Sequence, residues 1–222
     1  MPRPSRNVDQ LLLAAGHKLL PQTGVRGLSI RQVAEQAGVN LGMFHYHFKT
    51  KDAFVRALLD ERYEEMFSAL SLQARGAKSG VENLRACLRV LAGFARDNRT
   101  MLVKIGADAF AGQPVAVEFL KANLPRHLAV ILGLVVQAQK EGDIRQMPMP
   151  QALAFIGGAV GAPIVLGTAV ANASFFPDAV VTQIEGAVVS DEAIAERIDM
   201  ALRGLAPTEN KPSARASKGV RK

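Results

Sequence analysis

The sequence predicts an all-α protein, with an N-terminal three-helix unit containing a helix-turn-helix, followed by a larger helical domain. Three observations predict it. Apolar residues recur at spacings of three and four, as on the buried face of a helix, and no stretch alternates with the period of two that a half-buried strand requires. Residues suited to helix N-caps stand just ahead of several of these runs, with Gly or Pro after them. Of the 222 residues, 49% are apolar, enough to bury a substantial core in one domain or in a small domain joined to a larger one.

The first helix is expected over residues 7–20, where Val8, Leu12, Ala15 and Leu19 share a face, ending before Pro21. Residues 23–28, with Gly24 and Gly27, read as a loop. A second helix starts after Ser29, because Ser29-x-x-Gln32 has the form of a capping box, hydroxyl and amide each satisfying a backbone N–H. Ile30, Val33, Ala34 and Ala37 make one buried stripe, and Gly38 closes the helix, since a left-handed residue costs glycine nothing. Asn40 can cap a third helix two residues later, and two short helices joined so tightly form a helix-turn-helix. Thr50 caps the fourth, with Asp52 in its first turn, so the third must be brief.

The fourth helix shows Phe54, Leu58, Tyr63, Met66, Phe67 and Leu70 on one side and ends at a break over residues 76–80. Further helices are expected over 81–97, 101–110, 114–141, 150–173 and 191–204, with Pro125 and Pro163 kinking or dividing two of them. The last has Ser190 as cap, Asp191 and Glu192 in its first turn, and Ile194, Ile198, Ala201, Leu202 and Leu205 as its stripe. Residues 207–222, "PTENKPSARASKGVRK", hold almost no large apolar side chain and are expected to be disordered.

The net charge of +7 is unevenly placed. Residues 1–52 carry seven Lys/Arg (Arg3, Arg6, Lys18, Arg26, Arg31, Lys49, Lys51) against Asp9, Glu35 and Asp52, or +4. Residues 207–222 carry five against Glu209, again +4, so the body between holds 7 − 4 − 4 = −1. Basic ends on a neutral body suit a polyanionic partner met at the ends. The lone Cys87 excludes an intramolecular disulfide and implies no redox role. The apolar run over residues 11–16 is short, follows Asp9 and is cut off by His17 and Lys18, so it is no secretory signal and a cytoplasmic location is expected.

The third helix holds "FHYHF", three consecutive rings between two phenylalanines. Val39, Phe44 and Phe48 are needed to hold it against the first two helices, which leaves Leu41, Gly42, Met43, His45, Tyr46 and His47 facing outward, flanked by Lys49 and Lys51. Imidazole and phenol donors reach phosphate oxygens, lysines neutralise phosphates, and Leu41 or Met43 can touch thymine methyls. Gly42 leaves room for close approach to the bases. The competing metal site fails on geometry, because an i, i+2 histidine pair diverges on a helix and no third ligand stands at a telling spacing. No nucleophile and base at coherent spacing and no phosphate-cradling glycine loop are present, so neither an enzyme nor a cofactor is expected.

The stretch "LSIRQVAEQAGVNLGMFHYHFKTKDAFVRALL" resembles the DNA-binding domain of the TetR family of bacterial transcriptional repressors, and the likeness extends weakly back through "LLAAGHKLLPQTGVRG". Ala34, the turn Ala37-Gly38-Val39, Gly42, the aromatic run ending at Phe48, and Lys51 fall in the family's order and spacing. The resemblance implies that Ser29, His45, His47 and Lys51 stand where relatives contact phosphates. It places Arg31, Leu41 and Gly42 where some relatives reach bases, with Met43 and Tyr46 beside them. His45 occupies a position where tyrosine is usual, and Asn40 one where Ser or Thr is commoner, although Asn caps equally well. The implied plan is a DNA-binding domain over residues 1–52, a helical effector-binding and dimerisation domain over 53–206 and a basic tail over 207–222. The implied partners are an operator in double-stranded DNA, a second copy of the chain and a small-molecule effector.

Between Arg145 and Asp178 no residue is charged, and Gly157-x-x-x-Gly161 matches a membrane dimerisation pattern, so a regulator anchored through residues 146–177 is the alternative. Polar residues and prolines within the run (Gln146, Pro148, Pro150, Gln151, Pro163, Asn172, Pro177) and the lack of lysine or aromatic anchors at its ends favour a soluble homodimer interface with no membrane. A ligand cavity is expected among the fourth to eighth helices, with Phe94, Met101, Phe110, His127 and Phe155 supplying bulk and Asp108 and Asn123 polarity. Each also suits plain core or surface. The near-neutral body leans toward an uncharged or hydrophobic effector.

Overall fold

A computed structural model describes residues 7–76, 78–172 and 176–207; most of the basic tail, residues 208–222, lies outside them, as do Arg3 and Arg6. The described residues are helical with no strand: α1 (Val8–Gly27), α2 (Ile30–Gln36), α3 (Leu41–Phe48), α4 (Lys51–Ala74), α5 (Gly80–Asp97), α6 (Arg99–Phe110), α7 (Pro114–Glu141), α8 (Met149–Ile156), a π turn (Gly157–Gly161), α9 (Ala162–Asn172), α10 (Asp178–Val189) and α11 (Asp191–Leu205).

Side-chain caps set most of the N-terminal boundaries. The Ser29 hydroxyl accepts from Gln32 N–H at 3.5 Å, Asn40 from Met43 at 3.0 Å and Thr50 from Ala53 at 3.1 Å. The reciprocal capping box forms at Ser79 and Glu82 rather than at Ser29. At Gly38 φ is +67°, the left-handed turn that separates α2 from α3.

The first helix does not stop at Pro21. Helical structure continues to Gly27, and the break comes at Gly24 (φ +66°, ψ −177°), a conformation essentially confined to glycine. The expected loop over 23–28 is therefore mostly helix with one hinge residue. Pro125 lies inside an unbroken α7, and the expected division at Pro163 is displaced to the preceding π turn, where Ala162 N–H bonds to the Gly157 carbonyl five residues back. Gly157-x-x-x-Gly161 is thus that π turn. Helix α10, preceded by Pro177, has no counterpart among the expected elements.

Two apolar clusters form the interior. One joins α1 to α3 with the start of α4 (Phe54, Val55, Leu58, Leu59) and also Met101, Ile105, Val115 and Ala116. The other joins the remainder of α4 with α5, α7, α8, α9 and α11. Helix α4 runs through both, and α6 packs on α1, α7 and α9. Pro114–Glu141 and Met149–Ala171 are each long and apolar enough to cross a membrane, and core helices of soluble proteins have the same composition.

Candidate nucleic-acid interface and ligand cavity

Helix α3 is held by aromatic packing. Phe44 is fully buried, its ring 5.0 Å from Phe54, and Phe48 lies 4.9 Å from Phe54. With that side committed to the core, Gly42, His45 and Tyr46 are exposed, Tyr46 at 64%. His45 Nδ1 lies 3.2 Å from the Lys49 carbonyl, which can only accept, so Nδ1 carries a proton there. A Cβ at Gly42 would stand 3.1 Å from the Asn40 cap oxygen, so the glycine also protects the cap that starts the helix.

A second group of contacts ties these helices to the rest of the chain. Val25 N–H donates to the Asp108 carboxylate at 2.6 Å, Arg26 reaches Asp108 at 3.9 Å, and Arg26 donates to the Ala111 carbonyl at 2.6 Å. Lys51 Nζ donates to the Arg26 carbonyl at 3.0 Å. The end of α1, the start of α4 and the last turn of α6 thus meet at Gly24 to Arg26.

Beyond this junction α4, α5, α6, α7 and the α8–α9 segment line a half-open cavity of about 460 Å³. Its walls include Leu59, Tyr63, Met66, Leu88, Phe94, Met101, Ile105, Phe119, Ile131, Ile156 and Val160. Polar groups come from Tyr63, Asn123 and His127. The Tyr63 hydroxyl donates to the Asn123 carbonyl at 2.7 Å and lies 3.3 Å from His127 Nδ1. Burial raises the Tyr63 phenol above its ordinary range and lowers the His127 imidazole below its own, so both stay neutral near pH 7. Arg126 lies over the Tyr63 and Phe67 rings, 5.0 and 4.2 Å from their centroids, and is paired with Glu64 at 2.5 Å.

Residues 12–58, the segment that builds α1 to α3 and their junction with α4, match the family model described as bacterial regulatory proteins, tetR family. The N-terminal domain belongs to the TetR family. Over the longer chain, the nucleoid occlusion factor SlmA of Marinomonas sp. (strain MWYL1) is 24% identical across 137 residues, 62% of this chain and 68% of that relative. The ketosteroid transcriptional regulator KstR2 of Mycobacterium tuberculosis superposes with a TM-score of 0.68 at 16% identity, covering 93% of this chain and 98% of that one. The transcriptional regulator FadR of Bacillus subtilis, solved in complex with stearoyl-CoA, superposes with a TM-score of 0.62 at 16% identity over 82% and 98%. Residues 12–58 thus carry the tetR-family signature, and the chain as a whole shares the fold of these solved regulators.

Set on this TetR fold, the residues expected to face DNA divide. Arg31 and Asn40 are exposed, as are Gly42, His45 and Tyr46. Ser29 and Met43 are half-buried, and Lys51 is half-buried with its ammonium on the Arg26 carbonyl. Leu41 is half-buried against the N-terminal core, because the short helix needs more apolar cover than Val39, Phe44 and Phe48 provide. His47 is half-buried too, and its Nε2 lacks a hydrogen-bond partner among the described residues.

Of the residues expected at a ligand site, Phe94, Met101, Asn123 and His127 line the cavity. Three do not. Phe110 is 98% exposed, since it ends α6 and points away from the bundle. Phe155 is 43% exposed and lies against Gly204 of α11, and Asp108 serves the junction with α1. Leu59, Tyr63, Met66 and Phe119 also line the cavity, and nothing in the sequence marks them as cavity residues. The stripe spacing that carries Tyr63 and Met66 identifies a buried face without showing whether that face meets side chains or empty space.

Proposed function

We propose that the chain is a ligand-responsive repressor, a homodimer that binds a palindromic operator and is released when a small uncharged or hydrophobic effector fills the cavity. One observation carries this reading: the cavity wall and the anchor of the DNA-binding domain are the same helix. Met101, Leu102, Ile105 and Gly106 of α6 line the cavity, and Asp108 of α6 holds the Val25 N–H. An effector that favours one position of α6 shifts the spacing of the two DNA-binding domains by its difference in affinity for the two arrangements. The apolar walls support such an effector, and the solved structures that share the fold include a ketosteroid transcriptional regulator.

In this reading residues 1–52 bind DNA and residues 53–206 bind effector and partner subunit. Ser29, His45, His47 and Lys51 contact phosphates, and Arg31, Leu41 and Gly42, with Met43 and Tyr46 beside them, meet base edges, while Asn40 orients α3. Exposed apolar side chains at Leu166, Phe176, Val180 and Met200 supply a face for the second copy. The location is cytoplasmic.

Selection of bound sequences from random DNA tests this directly. Recovered sites should hold inverted half-sites with centres roughly 10 bp apart or slightly more. Recovery of no common sequence, or of unpaired half-sites with a monomer in sedimentation, overturns the reading. Recovery of the protein in the detergent phase on lysis would instead favour the membrane-anchored alternative.

A further inference from the structure

The cavity is apolar almost throughout, and its hydrogen-bonding capacity is concentrated where Tyr63, Asn123 and His127 meet. Which groups remain free there follows from counting protons. The Tyr63 hydroxyl has one, committed to the Asn123 backbone carbonyl at 2.7 Å, so toward His127 Nδ1 at 3.3 Å its oxygen can only accept. The Asn123 carbonyl also faces the His127 ring and only accepts. Nδ1 therefore carries the proton of the neutral imidazole, and Nε2 is left as a lone-pair acceptor with no partner among the described residues. The Asn123 side-chain oxygen accepts from Arg126 at 3.0 Å, and its amide NH2 group, without a hydrogen bond among the described residues, is a donor that a ligand oxygen's lone pair can meet.

Charge is poorly served at the same place. Arg126 is the nearby cation, and it is paired with Glu64 and stacked on Tyr63 and Phe67. A carboxylate entering the cavity would be desolvated with no charged side chain of the described residues lining it. A ligand with no donor would leave Nε2 unsatisfied.

We propose that the effector is an uncharged, mainly apolar molecule bearing a hydroxyl that donates to His127 Nε2. This rests on reading the cavity as the effector site and adds the functional group that the site selects.

Displacement of the neutral apolar dye Nile red from the full-length protein, near neutral pH, tests it with three probes of equal chain length: decanol, decyl methyl ether and decanoate. Decanol should displace the dye roughly tenfold more tightly than the ether, the worth of about one hydrogen bond, and decanoate should be the weakest. His127→Leu should abolish the preference for alcohol over ether while dye binding persists, and His127→Gln, which keeps an acceptor, should retain part of it. Equal displacement by all three, or preference for decanoate, overturns the hydroxyl assignment and leaves the cavity as an effector site. A wild-type protein that binds neither dye nor probes overturns the cavity reading itself.

Discussion

The Asp108 carboxylate of α6 accepts the backbone N–H of Val25, 83 residues earlier in the chain, at 2.6 Å. Gly24 makes this possible. Its glycine-only conformation interrupts the helical run beside Asp108, and a Cβ there would stand 2.8 Å from the carboxylate oxygen. Asp108→Ala should lower stability by about 1.5–3 kcal/mol in denaturant titration, because a charged acceptor leaves a buried N–H unpaired. The same variant should keep operator affinity when folded and lose most of its response to effector. A variant still fully released by effector would show that signalling bypasses this contact.

Gly24→Ala should destabilise by a comparable amount, about 1–3 kcal/mol, through strain and through displacement of Asp108. Gly27→Ala, whose added Cβ meets only the Thr23 side chain at 3.3 Å, should cost far less. Equal melting temperatures for the two variants would mean that Gly24 is not the hinge.

Residues at the DNA surface should separate by role. Lys51→Ala is expected to weaken binding to specific and random DNA alike, whereas Arg31→Ala should also relax base preference. If a dimer engages on the order of 6 to 10 phosphates, affinity should fall about a thousandfold or more between 50 and 200 mM salt. Equal loss on both kinds of DNA from both variants, measured by fluorescence anisotropy, would refute the division.

The His127 imidazole is held below its ordinary pKa of 6.5, chiefly by burial and against the opposing Asn123 carbonyl. The unfolded chain therefore takes up the proton first on acidification. Stability is undiminished above about pH 6.5 and declines as pH falls from there toward the lowered folded value. The stability difference between wild type and His127→Leu, followed from pH 8 to 5, should shrink on the acid side by this route. A difference independent of pH would place His127 in solvent.

Burial also pushes the Cys87 thiol up to about 11, and its Sγ lies 3.6 Å from the Leu70 carbonyl. Iodoacetamide should leave the folded protein unlabelled at neutral pH and label it after denaturation. Rapid labelling of the native state would mean that the core opens readily around α5.

Local chemistry explains which elements were legible. Ser29, Asn40 and Thr50 act on backbone groups three residues away, so the starts of α2, α3 and α4 could be read without knowing the rest of the chain. Pro114 at the first turn and Gly142 in the left-handed region likewise bracket α7 as expected. Pro21 misled because the break in α1 comes at Gly24, where Asp108, far away in sequence, takes up the Val25 N–H. Phe110 and Phe155 misled because an aromatic ring signals burial only on average, and both stand on the outer side of the bundle. The cavity was half legible: His127 and Asn123 were conspicuous polar groups in an apolar helix, while Tyr63 was indistinguishable from core until α7 was seen to stand against it.

In the proposed mechanism the cavity and the DNA surface are coupled through α6. Operator affinity of the full-length protein, using a site recovered by selection, should be measured with and without saturating decanol in wild type and in Asp108→Ala. Decanol should weaken the wild-type complex at least tenfold and leave the variant's nearly unchanged. Equal affinity with and without the alcohol in wild type, despite its occupancy of the cavity, would contradict the account.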